Sequence, residues 1–205
     1  ALRGRTVSTA APASGQVLKW NGSSWVPSSD ALGGNTLDQA YDQGGAGAGR
    51  IINATNGAFE VGGISGALFR GSLNSGTIPF EGSGERMMWY PGKAALRAGR
   101  QVGGAYWNDA NIGSVSTAFG LNTIASGGWS LAAGSYTTAL GDHSFAMGIS
   151  SVARAYASVA IGGAADAGGA YSVAMGNNTT ASGSQSVAMG ISTTASGSAS
   201  TAFGH

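Results

Sequence analysis

From residue 116 to 205 the polar and apolar positions recur on a 14-residue beat without insertion or gap. Ser116, Ser130, Ser144, Ser158, Ser172, Ser186 and Ser200 open successive copies, with Ala two residues and Gly four residues after each Ser. Directly after the Ser come Thr117, Leu131, Phe145, Val159, Val173 and Val187, and directly after that Ala come Phe119, Ala133, Met147, Ile161, Met175, Met189 and Phe203. A second beat falls nine residues after each Ser, at Ala125, Ala139, Ala153, Ala167, Ala181 and Ala195. A strict internal period of this kind is the signature of a solenoid. The Ser-x-Ala-x-Gly pattern predicts a five-residue strand with Ser, Ala and Gly on one face and the larger residues on the other. The second beat, as in Thr180-Ala181-Ser182-Gly183, predicts a strand of small residues throughout. Two strands and two turns per copy make one flattened coil. Coils stacked by parallel pairing advance about 4.8 Å each, so that six full copies form a rod of about 30 Å.

Side-chain size then bears on which face lies inside. The Ser-Ala-Gly face meets the opposite Ala only in a very thin coil, and this turns the larger row outward. An apolar row of that length does not stay in water on a soluble monomer. Identical chains packed about an axis would cover it, so the pattern predicts a homo-oligomer. Its candidate contact residues are Phe119, Leu131, Phe145, Met147, Val159, Ile161, Val173, Met175, Val187 and Met189. The opposite assignment puts the larger row inside a stable monomer.

Upstream the period is lost. Residues 1–15 read as a linker or a strand in need of a partner. Val17-Leu18-Lys19-Trp20, Asn21-Gly22 and Ser23-Ser24-Trp25-Val26 predict a hairpin, because Asn-Gly accepts the positive φ of tight turns, and Pro27 is expected to stop its second strand. The two Trp form a small hydrophobic clasp or, as the alternative, a carbohydrate platform. Thr36–Asp42 predicts one short helix capped by Thr36, with Leu37, Ala40 and Tyr41 on a common face. From Arg50 to Arg100 short strands alternate with Gly turns: Ile51-Ile52 and Phe59–Val61 about Asn56-Gly57, then Ala67–Phe69, Ile78–Phe80, Met87–Pro91 and the weakly alternating Lys93–Ala98. Trp107–Gly113 is expected to cover the open end of the roll. The chain thus divides into 1–49 (linker, Trp hairpin and short helix), 50–113 (short-stranded β region and cap) and 114–205 (the roll). The fold class is all-β.

Composition sharpens this picture at a few points. Only 9% of the 205 residues are charged, against the roughly 25% usual for globular domains, while 42% are hydrophobic and 37 are Gly. The strict period and the apolar content argue against disorder. The formal net charge of +1 leaves no electrostatic footprint for nucleic acid or an anionic membrane. Without Cys there is neither a disulfide nor a thiolate–metal framework. No apolar run approaches the ~20 residues of a membrane span, and the first residues lack the apolar core of a signal peptide. Ser116–His205 holds only Asp142, Arg154 and Asp166 as formal charges.

No catalytic constellation or cofactor motif emerges. His143 and His205 are far apart, Asp109, Asp142 and Asp166 are isolated, and there is no Asp-rich calcium loop. Gly45–Gly49 has the spacing of neither Gly-rich phosphate motif. Glu60, Glu81 and Glu85 are the carboxylates that a glycosidase would have to bring together between chains, and nothing in their spacing demands it. Asn21-Gly22-Ser23, Asn53-Ala54-Thr55 and Asn178-Thr179-Thr180 fit the glycosylation pattern about as often as chance allows in a Ser/Thr/Asn-rich chain.

Ser158-Val159-Ala160-Ile161-Gly162, together with Ser172–Gly176 and Ser186–Gly190 carrying Met in place of Ile, resembles the head repeat of trimeric autotransporter adhesins of the YadA type. The resemblance covers Ser116–His205. It implies a left-handed parallel β-roll, assembled as a homotrimer with the Val/Ile row towards the three-fold axis, displayed at a surface and attached to host or matrix. Gly15–Gly22, Thr36–Gln43 and Trp89–Arg100 resemble modules of bacterial and phage tail-fibre-like proteins instead. The function expected is that of a non-enzymatic segment of an intertwined homotrimeric fibre, a rigid spacer giving multivalent attachment to a host, surface or matrix through an unknown receptor or glycan. Alternatives are a receptor-binding tail fibre of a phage or phage-like injection particle and a polysaccharide-degrading spike. The place expected is extracellular, at a cell surface or on a particle tail, with neither nucleic acid nor membrane insertion involved. His205 lies five residues into a seventh copy. An open strand edge there leads to the expectation of further fibre segments or a cleaved product.

Overall fold

The computed structural model describes residues 3–11, 13–14, 16–29 and 68–205. The expected helix over Thr36–Asp42, the hairpin about Asn56-Gly57 and the glycine run Gly45–Gly49 lie outside them. The chain divides into two compact units, Ala1–Gly62 and Gly63–His205.

In the first unit, β1 (Gln16–Trp20) and β2 (Trp25–Ser29) pair antiparallel, with Trp20 opposite Trp25. The connecting loop is Asn21–Ser24, longer than the tight turn expected from Asn-Gly alone. The Asn21 side chain shapes it: Oδ1 accepts from the backbone N–H of Ser23 at 3.0 Å and of Ser24 at 2.9 Å. Pro27 does not stop the strand. It lies inside β2 opposite Leu18. Asn21 N–H donates to Ser24 O, and ladder bonds alternate from there, so that Pro27 falls where β1 asks for no donor. The two indoles sit 5.8 Å apart, the Arg5 guanidinium lies 4.5 Å over Trp20, and Val7 bridges to Trp25 on the far side of β2.

The second unit is the solenoid. Its long strands are β5 (Thr117–Leu121), β7 (Leu131–Ser135), β9 (Phe145–Ile149), β11 (Val159–Gly163), β13 (Val173–Asn177), β15 (Val187–Ile191) and β17 (Thr201–Gly204). Between them run the two-residue strands β6 (Ile124–Ala125), β8 (Thr138–Ala139), β10 (Val152–Ala153), β12 (Asp166–Ala167), β14 (Thr180–Ala181) and β16 (Thr194–Ala195). Long strands pair only with long and short with short, always parallel and always one period apart: Val159 with Val173, Ala160 with Ala174, Ile161 with Met175. Both corners of each coil turn on one left-handed residue that is not Gly. One set of these precedes each Ser, as Trp129, His143 and Tyr171 do, and the other lies seven residues later, as at Tyr136 and Asn178.

The interior is made of methyl groups. Ala118, Ala132, Ala146, Ala160, Ala174 and Ala188 of the long strands meet Ala125, Ala139, Ala153, Ala167, Ala181 and Ala195, all essentially inaccessible to solvent. The Ser that opens each of the first six copies is buried at the edge of this core, and three of them fasten the preceding turn: Ser116 Oγ donates to Gly113 O, Ser130 Oγ to Gly127 O and Ser158 Oγ to Ala155 O. The coil is too thin to hold the larger row, which points outward. This excludes the arrangement with that row inside.

The long-strand sheet also continues backwards. β4 (Ala95–Gln101) pairs parallel with β5, and β3 (Gly84–Tyr90) pairs antiparallel with β4 across a 3-10 turn at Pro91–Lys93. Of the expected strands Ala67–Phe69 and Ile78–Phe80, the described residues Leu68-Phe69 and Ile78–Phe80 are irregular. β4 stands where a preceding coil would be, and its Arg97 takes the place of the inner Ala, opposite Ala118. Fully buried, the guanidinium donates to Leu96 O, Ser116 O, Ser116 Oγ and Ala125 O at 2.8–3.0 Å. Trp107 closes the rest of the end. In later coils the carbonyl seven residues after the Ser accepts from the backbone of the coil before. At Thr123 the indole N–H of buried Trp107 donates instead, at 2.8 Å. Ile112 bridges to Ala125 alongside.

Candidate functional site

All ten contact residues expected from the sequence project from the outer face of the long strands, and none is buried. Leu131, Phe145, Val159, Val173 and Val187 form one column, while Phe119, Met147, Ile161, Met175 and Met189 belong to the next. In-register parallel pairing sets each side chain directly above its counterpart, which makes the columns continuous. Phe119 and Met147 each keep 41% of their surface exposed.

The outer face of the short strands is of another kind. There Thr138, Thr180 and Thr194 alternate with Ser126, Ser182 and Ser196, among a few aliphatic residues. Arg154 and Asp166 of successive coils form a bidentate ion pair across it, with Nε and Nη2 2.9–3.0 Å from the carboxylate. The Asp166 hydrogen bond raises the Arg154 pKa above its ordinary value. One face of the coil is therefore apolar and the other suited to water.

Along the corner that precedes the Ser, four successive coils carry an aromatic ladder that the sequence pattern did not single out. Trp129 and His143 stack with parallel rings at 5.0 Å, and Tyr156 meets His143 at 5.3 Å and Tyr171 at 5.4 Å, edge to face. The signal was there in the spacing. Trp129, His143 and Tyr171 all fall on the last position of a copy, and Tyr156 falls one residue earlier. Trp129 is 59% exposed.

The isolated acids have structural partners. Asp109 accepts from Lys93 and from the Tyr90 hydroxyl, and its own backbone N–H donates to Glu81. Lys93 holds the Asp109 carboxyl below its ordinary pKa, and burial, reinforced by Asp109, raises that of the Tyr90 phenol. Asp142 accepts from Gly128 N–H in the coil before, and Glu85 pairs with Arg100. His143 belongs to the ladder, while Glu60 lies outside the described residues. Among the described residues no three His, Asp or Glu gather as a metal site, and no helix is long and apolar enough to cross a membrane.

Five overlapping stretches, 118–144, 139–165, 153–179, 167–192 and 181–205, match the family of the YadA head domain repeat. That family is an adhesin-type structural family of trimeric, surface-exposed proteins. Comparison with curated proteins and with solved structures gives no match.

Proposed function

We propose, from the premise that residues 118–205 are YadA head domain repeats, that the chain is one of three identical chains in a surface fibre. The fibre acts as a stiff spacer and offers each attachment surface three times over, so that weak individual contacts combine. The supporting observation is the pair of continuous apolar columns on the long strands, set against the hydroxyl-bearing face behind them. A buried Ala methyl contributes about 0.8 kcal/mol, while fixing the backbone of each residue costs about 1–2 kcal/mol. The roll's own interior is therefore poor in hydrophobic stabilisation, and burying Phe145, Met147 and Ile161 between chains supplies more. The ten column residues then form the trimer core. The hydroxyl face and the aromatic corner remain for solvent and for a receptor or glycan, and catalysis has no part in this role.

Sedimentation equilibrium tests the reading. A species of three times 20.1 kDa is expected, and Met147→Asp combined with Ile161→Asp should dissociate it. A well-folded wild-type monomer at micromolar concentration would sink it. A second reading, a receptor-binding tail fibre of a phage or injection particle, draws on the Trp hairpin Gln16–Ser29, which lies in the part that resembles tail-fibre modules. Both readings share the trimer, and they part on whether neighbouring genes encode tail or surface proteins.

A further inference from the structure

The apolar columns do not stop where the repeats begin. β4 carries them one rung further, with Leu96 beside Thr117 and Ala98 beside Phe119, and β3 one rung more, with Trp89 beside Leu96 and Met87 beside Ala98. The opposite sides of these strands are spoken for: Met88, Tyr90 and Ala95 are buried with Ile112, and Arg97 fills the end of the roll. On the outer side Met87 is 74% exposed, and Phe69 reaches the same place with 70% of its surface in solvent. Phe69, Met87, Trp89 and Leu96 line a hollow of about 320 Å³ with no charged residue among them.

We infer that the contact between chains extends beyond the repeats onto the β3–β4 hairpin, where this hollow receives an apolar side chain from a second copy of the same chain. The inference rests on the trimer reading above. The occupant is set by continuity, since the hollow is the last station of the two columns that the trimer covers. It is also set by symmetry. Chains related by rotation about an axis parallel to the stack meet at equal heights, so each hollow faces the neighbour's exposed Met87 and Phe69, and the ring closes with every hollow filled. The capping hairpin is then part of the assembly surface as well as the end of the roll.

The chain lacks Cys, and single-Cys variants therefore report without background. Met147→Cys in the repeats and Met87→Cys in the hairpin are made in the full chain and treated with a short bis-maleimide. Cross-linking of both variants into linked dimers within a trimer is the expected result. Cross-linking of Met147→Cys alone, in a protein sedimenting as a trimer, overturns the inference and leaves the trimer reading standing. Failure of both, with either a folded monomer or a trimer in solution, overturns the inference and the proposed contact face together. Met87→Glu gives a second measurement. The side chain is exposed in a single chain, so the fold should survive, while the concentration for half-assembly rises at least about tenfold because a charge would enter an apolar contact unpaired. Unchanged assembly of Met87→Glu overturns the inference.

Discussion

Gly162 answers two demands with one missing atom. Its φ is +132°, where L side chains are strained, and a Cβ placed on it would stand 1.9 Å from the carbonyl oxygen of Gly176 in the next coil. Gly162→Ala should therefore cost at least about 2 kcal/mol, read as a lowered urea midpoint. Gly168→Ala is the control. Its nearest contact would be ordinary at 3.7 Å, with no left-handed φ, and stability should stay within about 0.5 kcal/mol of wild type. Arg97 poses the opposite problem, a buried cation with no carboxylate paired to it among the described residues. Desolvation pushes its pKa down to about 10. Arg97→Ala should lose about 2–4 kcal/mol through the cavity and the lost donors. Arg97→Met should lose much less, because it keeps most of the volume and lifts the charge out of the interior. Equal losses for the two variants would refute this account. The Gly column was legible in the sequence because it repeats with every coil. Arg97 was not, because a residue that occurs once in an unperiodic stretch carries no beat to align it with the inner Ala.

At the scale of elements the roll stands on its cap. Asp109 ties the Trp107 segment to the β3–β4 turn through Lys93 and Tyr90. Its pKa is lowered from 3.8 in the folded chain, so the unfolded chain takes up a proton first as pH falls. The contribution is present in full above about pH 4, the ordinary carboxylate value, and is lost below it. Because Asp109 is half exposed the effect is small, and Asp109→Asn should flatten the acid limb of the stability curve only slightly. A steeper acid limb in the variant would contradict this assignment. The repeating strands were readable from alternation and side-chain size, including which face turns outward. The irregular course of Ile78–Phe80 was not, since an apolar triplet says nothing of whether a neighbouring backbone is free to pair. Pro27 misled for a related reason. A missing N–H ends a strand only where the ladder needs that donor, and register is invisible before the loop length is known. The aromatic ladder is hard to see although three of its four members share a beat, because corner residues vary from copy to copy while strand residues do not.

Over the whole molecule, the proposed trimer would tie stability to self-association. If the columns are covered only by other copies, the thermal midpoint should rise with protein concentration, as it does for any chain whose folded state gains from binding its own kind. A midpoint independent of concentration across three decades would mean that the single chain stands alone. The same continuity that makes the columns also makes the roll divisible. Each coil meets the next through the same register, so no coil holds a privileged place between the cap and the last strand. Deleting Ser158–Tyr171 joins Ala157 to Ser172, a left-handed corner to the opening Ser of a copy, as at every other junction. That variant should fold as before and be shorter by about 4.8 Å, forfeiting only the exposed Arg154–Asp166 pair and one rung of the ladder. Removing one residue fewer should shift every later side chain to the wrong face and unfold the coils beyond the cut. Length in this protein thus comes in whole coils. A gene that gains or loses one copy by unequal recombination resets how long the roll is, without the fold having to be solved again.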